Sequence, residues 1–514
     1  TYVKMEHATD LTKNISKART PTGPRFEDYT RGEADAYTKA AVKIEQEYYH
    51  PIEVHSPMEP GSVIAMWQGK DKVTVYTKTQ GVEATQRSVA DAFKLPPENI
   101  TVNAEHVGGA FGMGLRTWPY EIAGIMGAQK IGRPLKLMLH REQMFTNVGH
   151  RPETMQKIGL GASADGKLVG ISHEATAETS AYEEFTEATV NLSRFLYACP
   201  NVTTRYKLGA EKIGWKNRKL EPKASKEGDW LIGYGMGTGA FGAFRGAATI
   251  KAILYANGTL ILQCSVNDMG PGTATMMTTV AANTLGMPVD KIKVEMGSTS
   301  LPPGPMQGGS TVTSTVGAAV HDTCIALKEK IATLAGNDSA GSLPYADLLK
   351  KNNLPFLEIT KESKGQNQPY SMYSFSVHFV KLRVHQPTGR IKIDHVVSCA
   401  DAGTIVNQKT AASQMMGGAV GGLGMALMED LVIDHRFGRA INNNLADYHV
   451  PVNADIPAVD VLFVNKKDPY TNPMGSKGLG EIALVGVAPA VANAVFNATG
   501  KRIRSLPITL DKLL

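Results

Sequence analysis

Alternating hydrophobic and polar residues, interrupted by turn residues, predict three β-hairpins along the chain. Their turns are Asp165-Gly166, Asn257-Gly258 and Pro387-Thr388-Gly389, and each stands between runs in which apolar residues recur at every second position. Short Asp-Gly and Asn-Gly pairs readily adopt the left-handed backbone of a tight hairpin. Antiparallel strands are therefore expected on both sides of each turn.

Apolar residues at helical spacing predict four longer helices, over residues 84–94, 273–285, about 311–334 and 410–430. The first ends before Pro96-Pro97 and the second ends before Gly286, which are typical helix stops. Because strands and helices are mixed without strict βαβ alternation, the predicted fold class is α+β.

One pattern occurs in both halves of the chain. Residues 72–102 and 259–294 each contain a strand, a glycine turn, a helix, a proline turn and a second strand, at spacings that agree to within three residues. Two distant copies indicate pseudo-symmetric domains, not a solenoid of contiguous repeats. We therefore expect a first domain over 1–208, a charged and proline-containing junction over 209–229, a second domain over 230–514, and a site at their interface.

Composition narrows the function classes. The chain has 514 residues, which exceeds the roughly 250–300 at which single cores stop growing, and a formal charge of +6 spread along the sequence. Scattered Lys and Arg make nucleic acid a poor candidate partner. No run reaches the roughly 18 apolar residues of a membrane span, and the first residues do not form a signal peptide. The expected location is the cytoplasm, or the periplasm with an export signal elsewhere.

The four cysteines are isolated from one another, at Cys199, Cys264, Cys324 and Cys399. Each stands among apolar or small residues, which predicts buried core thiols and not ligands or disulfides. The chain is therefore not expected to hold an iron–sulfur cluster. There is also no HExxH or CxxC motif and no EF-hand loop, so no metal bound by protein side chains is expected.

Four glycine-rich segments are candidates for a large anionic ligand. Glycine lets the backbone approach a ligand and present N–H groups, and two of the segments lead directly into a predicted helix N-terminus. For any one segment alone, a tight turn with a Ser or Thr cap is the favoured alternative, whereas four together favour a cofactor cradle. The segments are 106–114, 268–273, 307–315 and 475–481.

Standard nucleotide motifs do not account for these glycines. The sequence contains no GxxxxGK[ST], and the nearest dinucleotide-like stretch, 235–240, lacks a clear following helix. NAD binding is therefore not expected.

Glu481 is the candidate general base. It follows Gly478-Leu479-Gly480 and precedes an apolar run from Ile482 to Val487, surroundings that raise the pKa of a carboxylate towards neutrality. The alternative is a carboxylate that caps the helix beginning near Ala488. Sequence chemistry alone leaves the two interpretations equal.

In order and spacing these motifs resemble the molybdenum hydroxylase large subunit, the xanthine dehydrogenase/aldehyde oxidase family, and especially its bacterial aldehyde oxidase-like molybdenum-binding branch. The resemblance extends from about Gly32 to the C-terminus. It includes HSPMEP (55–60), TQG (79–81), GGAFGMG (108–114), REQMFTNVGHRPET (141–154), YACPNVTTRY (197–206), QGGSTVTSTVG (307–317), DAGTIVN (401–407), GGAVGGLGMAL (417–427), NNNLADYHVP (442–451) and GSKGLGEIALVGVAPAVANAV (475–495).

The resemblance implies two molybdenum-cofactor-binding domains and a pterin dinucleotide, of the cytosine form usual in bacteria, whose molybdenum has no protein side chain as a ligand. Glu481 matches the base and Gln80 the residue that hydrogen-bonds an oxygen of the metal group. Arg245 either orients a polar substrate or is a surface arginine, and these alternatives are equal. The implied cofactor-binding residues are Gly109, Ala110, Phe111, Gly112, Gly270, Gly272, Thr273, Gln307, Gly309, Ser310, Thr311, Thr313, Gln414, Gly417, Gly418, Gly478 and Gly480.

Implied partners are an iron–sulfur subunit and, in many relatives, an FAD subunit, with an aldehyde or N-heterocycle as substrate. Two departures stand against this. The N-terminal hammerhead domain is expected to be absent, and a segment that lines the substrate channel is missing after Leu208. Smaller changes are Ser298 and Thr279. The two hypotheses are therefore a hydroxylase and a non-catalytic relic, or assembly subunit, that keeps the fold.

Overall fold

The computed structural model describes residues 16, 18, 28–179, 189–194, 209–336, 344–365, 371–464 and 466–514. Within these ranges several separate sheets combine parallel and antiparallel pairs and carry helices on their faces, which confirms the α+β class. The motif at 197–206, Cys199 and the step from Leu208 lie outside or at the edge of the described residues.

The first half of the described chain forms a four-stranded sheet, a three-stranded sheet and two helices. The sheets have the orders β4-β3-β2-β5 and β1-β6-β7. The strands are β1 (Val42–His50), β2 (Ser62–Gln68), β3 (Lys72–Thr77), β4 (Ile100–Asn103), β5 (Leu135–Met138), β6 (Thr154–Ala162) and β7 (Leu168–Ala177), and the helices are α1 (Val82–Phe93) and α2 (Pro119–Ile131).

The second half forms sheets of the orders β12-β11-β10-β13, β18-β15-β14-β9-β8 and β16-β17. The strands are β8 (Lys226–Glu227), β9 (Trp230–Gly242), β10 (Ala248–Tyr255), β11 (Leu260–Cys264), β12 (Ile292–Met296), β13 (Phe356–Ser363), β14 (Tyr373–His385), β15 (Ile391–Asp401), β16 (Ile433–Asp434), β17 (Arg439–Ala440) and β18 (Ala458–Phe463). The helices are α3 (Thr273–Leu285), α4 (Ala318–Ala335), α5 (Tyr345–Lys351), α6 (Gln408–Leu427) and α7 (Val487–Thr499).

The two four-stranded sheets have the same construction, which confirms the predicted pseudo-symmetry. In both, a strand–helix–strand unit forms a parallel pair, β3 with β4 and β11 with β12, while the remaining neighbours are antiparallel. Alternate residues of each sheet pack under the helix that crosses it, as Val73 and Val75 do in β3 and Leu260 and Leu262 do in β11. All three predicted hairpins are also present.

Backbone hydrogen bonds join the two units directly where β4 and β12 end. Ala104 N–H donates to Gly297 O at 2.7 Å, and Val107 N–H donates to Asp268 O at 2.8 Å. His106 and Asp268 form an isolated parallel bridge. The glycine-rich loop that follows β4 therefore runs beside the glycine-rich loop that follows β11.

A glycine stripe on β9 explains the dinucleotide-like stretch. A Cβ on Gly233 or Gly235 would lie 2.0 Å from Ala494 O or Ala490 O, and one on Gly237 would lie 2.1 Å from Gly486 O. The missing side chains let the backbone of α7 rest directly on alternate positions of the strand. These glycines pack a helix against a sheet, in agreement with the prediction that they do not bind NAD.

Helix α7 belongs to the core around the five-stranded sheet. The stretch Glu481–Thr499 is long and apolar enough to cross a membrane by length and composition. However, 61% of its most apolar 18-residue segment is buried inside the protein. The start of the predicted junction packs on the same sheet, because Gly209 contacts Phe379 and the Trp215 ring meets that ring edge to face with centroids 5.3 Å apart. The division into domains at 209–229 stays a prediction.

Cys264, Cys324 and Cys399 are buried, as predicted. Burial raises the pKa of the Cys264 and Cys324 thiols to about 12. These thiols are therefore packing groups.

Candidate active site

Gln80 joins the two units. It follows β3, is 2% exposed, and its Nε2 donates to Gln307 O at 2.6 Å. Its Oε1 accepts from Gly112 N–H at 3.0 Å and Gly114 N–H at 3.1 Å. Among the described residues the second N–H of the Gln80 amide has no hydrogen-bond partner. This N–H is therefore available to a ligand beside the loop that contains Phe111.

The loop over residues 108–112 has an unusual backbone. Gly109, Phe111 and Gly112 have φ angles of 80°, 54° and 103°. Phe111 is nevertheless 73% exposed, while Ala110 is buried. Left-handed backbone at a bulky residue is costly and is found where the surrounding structure fixes it, commonly at functional sites. The loop presents Phe111 and the Gly112 backbone next to Gln80.

A buried lysine that sequence reasoning missed supports this loop from below. The side chain of Lys78 is fully buried, and its Nζ donates to Glu59 O at 2.7 Å and Gly109 O at 2.6 Å. Burial lowers the pKa of this ammonium to about 8, although the nearby Glu59 carboxylate favours the charged form. That carboxylate also accepts from Gly108 N–H. Lys78 and Glu59, from the TQG and HSPMEP regions, thus fix the loop at both of its first glycines.

The corresponding loop of the second unit is capped internally. Asp268 Oδ1 accepts from Gly270 N–H at 2.9 Å and from Gly272 N–H at 3.2 Å. The expectation that these N–H groups are open to an anion is therefore wrong, because a carboxylate of the chain occupies them. The space beside the Gly270 Cα is nevertheless open, since a Cβ there would meet nothing within 4 Å.

The side-chain amides of Gln307 and Asn267 are buried beside this loop, and the carbonyl oxygen of each accepts no hydrogen bond from the described residues. Gln307 Nε2 donates to Thr273 Oγ1 at 2.6 Å and also to Asn267 O. Gln307 Oε1 and Asn267 Oδ1 have no hydrogen-bond partner among the described residues, although both residues are 1% exposed. Buried polar atoms in proteins are almost always paired. Thr273 is buried beside these amides and its hydroxyl accepts from Gln307, while its predicted role at the cofactor stays a prediction.

Gly309 and Ser310 form a left-handed turn, with φ angles of 63° and 56°. The Ser310 hydroxyl donates to Glu481 Oε1 at 3.3 Å and accepts from Glu481 N–H at 2.9 Å. Ser310 was expected to bind the cofactor, and its hydroxyl instead binds the candidate base. Ser310 lies three residues after Gln307, which accepts a hydrogen bond from Gln80. At most about 11 Å of backbone therefore separates the residue that contacts Gln80 from the residue that contacts Glu481.

The residues after this turn begin the long helix that the sequence predicted. Thr311 Oγ1 donates to Gly308 O at 3.1 Å, which closes the turn. Thr313–Gly317 is a π-helical segment that continues into α4, and Thr313 is half-buried there. Such π-segments often occur at functional sites. Thr311 and Thr313 therefore lie directly after the Ser310 turn. We call the region between Gln80, the Phe111–Gly112 backbone and Glu481 the cleft.

Glu481 opens a short turn, Glu481–Ala483, in which Ile482 and Ala483 are completely buried. The Glu481 side chain remains accessible to solvent, while the protein around it raises its pKa; hydrogen bonds from the Ser310 hydroxyl and from the backbone of Ser310 and Gly309 oppose that rise. The raised pKa was predicted. The alternative cap is wrong, because α7 begins after Gly486 without any side-chain cap.

Glycines on two further elements complete the surroundings of Glu481. A Cβ on Gly478 would lie 2.3 Å from Ser310 O, and one on Gly480 would lie 3.4 Å from Gln414 Oε1. On α6, Gly417 faces open space, whereas a Cβ on Gly418 would lie 2.3 Å from Ala483 Cβ. Gln414 and Gly417 therefore face the cleft, and Gly418, predicted to bind cofactor, is explained by helix packing.

The surface alternative for Arg245 is wrong. Its side chain is 5% exposed, and Nη2 contacts Asp322 Oδ2 at 3.2 Å and Ser363 Oγ at 2.7 Å. Its role towards a polar substrate stays a prediction, and its buried Nε has no hydrogen-bond partner among the described residues. The neighbouring Phe244 side chain, by contrast, is 62% exposed.

A cavity of about 410 Å³ lies between α3, α4 and the loop after β15. Its size falls within the range of roughly 300–1,000 Å³ that is usual for small-molecule sites. Met474, one residue before the loop that leads to Glu481, contributes to its wall. The other lining residues are Val280, Asn283, Thr284, His321, Ile325, Thr404, Ile405 and Val406.

Comparisons with known proteins identify the same regions. Residues 17–213 and 208–457 each match a family profile described as a molybdopterin cofactor-binding domain. The aldehyde oxidoreductase molybdenum-binding subunit PaoC of Escherichia coli strain K12 is 32% identical over 561 aligned positions, covering 93% of this chain and 76% of the relative. The xanthine dehydrogenase molybdenum-binding subunit of Escherichia coli O157:H7 is 24% identical, with 92% and 77% covered.

The fold also matches solved structures. Quinoline 2-oxidoreductase from Pseudomonas putida 86 superimposes with a TM-score of 0.84 at 18% identity, covering 93% of this chain and 76% of that one. At this identity the match concerns the fold alone. Together with the profiles, it shows two molybdopterin cofactor-binding domains of mixed sheets and helices.

Proposed function

This chain belongs to the molybdenum hydroxylase large subunits, the family of aldehyde oxidoreductases and xanthine dehydrogenases, and we propose that it hydroxylates an aldehyde or an N-heterocycle with oxygen from water. One observation carries the proposal. The hydrogen bonds Gly112–Gln80, Gln80–Gln307 and Ser310–Glu481 bring all the predicted catalytic segments except Arg245 to one cleft.

The residues of the cleft fit a pterin cofactor. Gln307 Oε1 and Asn267 Oδ1 are buried acceptors that lack donors, and a pterin ring is rich in N–H groups. Gly270 and Gly417 offer backbone with no side chain in the way. When bound, the molybdenum–pterin group supplies the two-electron acceptor of the reaction. The cytosine dinucleotide form is part of the proposal, and the cavity of about 410 Å³ next to α3 has room for its nucleoside.

Glu481 acts as the general base in this proposal. The net reaction inserts the oxygen of one water into a C–H bond and releases two protons and two electrons, so a proton acceptor must stand beside the oxygen donor. Burial raises the pKa of Glu481 above its ordinary value, the direction that makes a carboxylate a stronger base. The remaining Gln80 N–H is placed to orient an oxygen, and the exposed Phe111 offers an apolar surface to the substrate.

The electrons leave through partner subunits in this proposal, an iron–sulfur subunit and an FAD subunit. Support comes from Cys264, Cys324 and Cys399, which are buried at separate places in the described part of the chain. The relative PaoC is likewise named as a molybdenum-binding subunit.

The substitution Glu481→Gln tests the base. Gln keeps the shape and one carbonyl oxygen for Ser310 but cannot take a proton, so turnover should fall by about 10²- to 10⁴-fold while bound molybdenum stays at the wild-type level. Glu295→Gln, which alters an exposed carboxylate on β12, is the matched control. Substantial residual hydroxylation by the Glu481 variant would refute the role.

The second candidate is a non-catalytic relic or assembly subunit. It is favoured by the segment that the resemblance leads us to expect after Leu208 and that this sequence lacks. Metal analysis separates the two. Stoichiometric molybdenum, with a cytosine nucleotide released on hydrolysis, is expected for the hydroxylase, whereas folded protein free of molybdenum would establish the relic.

A further inference from the structure

We propose that Ser310 is a positioning residue, and that the left-handed turn of Gly309 and Ser310 orients the Glu481 carboxylate and sets its proton affinity. The inference rests on the proposed role of Glu481. It assigns to this turn a function other than the cofactor cradle that its glycines suggest.

The hydroxyl of Ser310 makes two contacts with one residue. It donates to Glu481 Oε1 at 3.3 Å and accepts from Glu481 N–H at 2.9 Å, so it ties the side chain to its own backbone. This closed arrangement holds the carboxylate in one direction relative to the turn Glu481–Ala483. Because Ile482 and Ala483 are fully buried, that turn is itself anchored in the core.

The backbone of Ser310 is strained in a way that serves this contact. A serine at φ 56° follows a glycine at φ 63°. A left-handed serine is costly and persists where the surrounding structure fixes it. The backbone of Gly309 and Ser310 acts on the pKa of Glu481 in the same direction as the Ser310 hydroxyl, and both lower it. The strained turn therefore holds the Ser310 hydroxyl against a carboxylate of the same chain.

The opposite loop is shaped to receive the turn. A Cβ on Gly478 would lie 2.3 Å from Ser310 O, and one on Gly480 would lie 3.5 Å from Ser310 Oγ. Only glycine at position 478 lets the two loops approach this closely. The Ser310 turn and the segment before Glu481 thus fit each other through backbone contacts.

The electrostatic consequence follows from the donors. Hydrogen bonds to the ionised form lower a carboxylate pKa, while burial raises it. For Glu481 burial is the larger effect, and the Ser310 hydroxyl is the largest opposing one. Arg151 is the charged group that also acts on Glu481 within the described residues, and it lowers the pKa as well. Ser310 therefore keeps Glu481 ionised at a lower pH than burial alone would allow.

The test uses Ser310→Ala and Ser310→Gly in the cofactor-loaded enzyme. Both remove the hydroxyl, but glycine also relieves the left-handed strain, so it folds even where alanine does not. The acid limb of the kcat/KM profile should move to higher pH by about half to one unit in both variants. Ser314→Ala is the control, since its hydroxyl binds Phe244 O and Thr311 O and leaves Glu481 untouched.

A second readout does not depend on turnover. Infrared titration follows the C=O stretch of a protonated carboxyl group, which Glu481→Gln assigns by its loss. In both Ser310 variants that band should persist to a pH higher by the same half to one unit, a shift of about three- to tenfold in proton affinity. An unchanged titration would overturn the inference even if Glu481→Gln is inactive. Conversely, full activity of Glu481→Gln with a shifted titration would overturn the proposed base alone.

Discussion

The contact between Gly478 and Ser310 makes a sharp prediction for Gly478→Ala. The new Cβ would lie 2.3 Å from Ser310 O, 2.8 Å from Ser310 Cβ and 3.1 Å from Ser310 C, whereas ordinary contacts begin at 3.4 Å. Two of these three atoms belong to the backbone, so relief requires the Ser310 turn and the loop before Glu481 to separate by about 1 Å. The hydrogen bonds between Ser310 and Glu481 cannot survive that displacement.

The expected loss is larger for catalysis than for folding. A displacement of 1 Å at a reacting group costs about 100-fold in rate, and overpacking costs about 1–3 kcal/mol of unfolding free energy. The assay is kcat per bound molybdenum together with urea unfolding. Gly127→Ala in α2 is the control, because its Cβ meets only the tip of Leu135 at 3.1 Å. Wild-type kcat in Gly478→Ala would refute the assigned geometry.

Three further predictions concern the supports of the cleft. Lys78→Met leaves Gly109 O and Glu59 O without their buried donor. Amide hydrogen exchange over residues 106–114, measured by mass spectrometry, should therefore accelerate by about tenfold or more. Unchanged exchange would contradict the proposed support of this loop by Lys78. Asp268→Ala removes the carboxylate that binds the N–H groups of Gly270 and Gly272, so their loop should become less ordered. The molybdopterin content per chain should then fall. A wild-type content would show that the Asp268 side chain is not needed to hold the loop for the cofactor. Burial raises the pKa of Glu121 to about 7, so its stabilising contribution is complete below pH 4.5 and is lost as pH rises to 7. Urea unfolding should therefore show Glu121→Gln gaining on the wild type over that window, by up to about 3 kcal/mol, and a constant difference would contradict the raised pKa.

Local chemistry made much of the fold predictable. The Asp165-Gly166 and Asn257-Gly258 turns specify hairpins by themselves, and helix 273–285 was found to the residue because glycines terminate it at both ends. The repeated strand–helix–strand pattern revealed the pseudo-symmetry. Helix α2 was not predicted, since its apolar residues show little one-sided pattern.

The sequence predicted which segments belong to the candidate site, but it did not predict which residues of those segments contact one another. Glu481 emerged from its flanking glycines, whereas the partner of Ser310 depends on a meeting of residues far apart in sequence. The cap of Gly270 and Gly272 by Asp268 is local, yet an Asp two residues before a glycine turn also fits an open loop. The burial of Arg245 could not be predicted for a related reason, because Asp322 and Ser363 come from elements that only the tertiary fold brings to it.

The central claim is that the two pseudo-symmetric units enclose one molybdenum–pterin group beside Glu481. Anomalous diffraction at the molybdenum absorption edge, on crystals of the cofactor-loaded protein, tests it most directly. We predict a single molybdenum peak in the cleft bounded by Gln80, the Phe111–Gly112 backbone and the Glu481 carboxylate. A peak outside that cleft, or a loaded protein in which Glu481 faces away from the metal, would contradict the account.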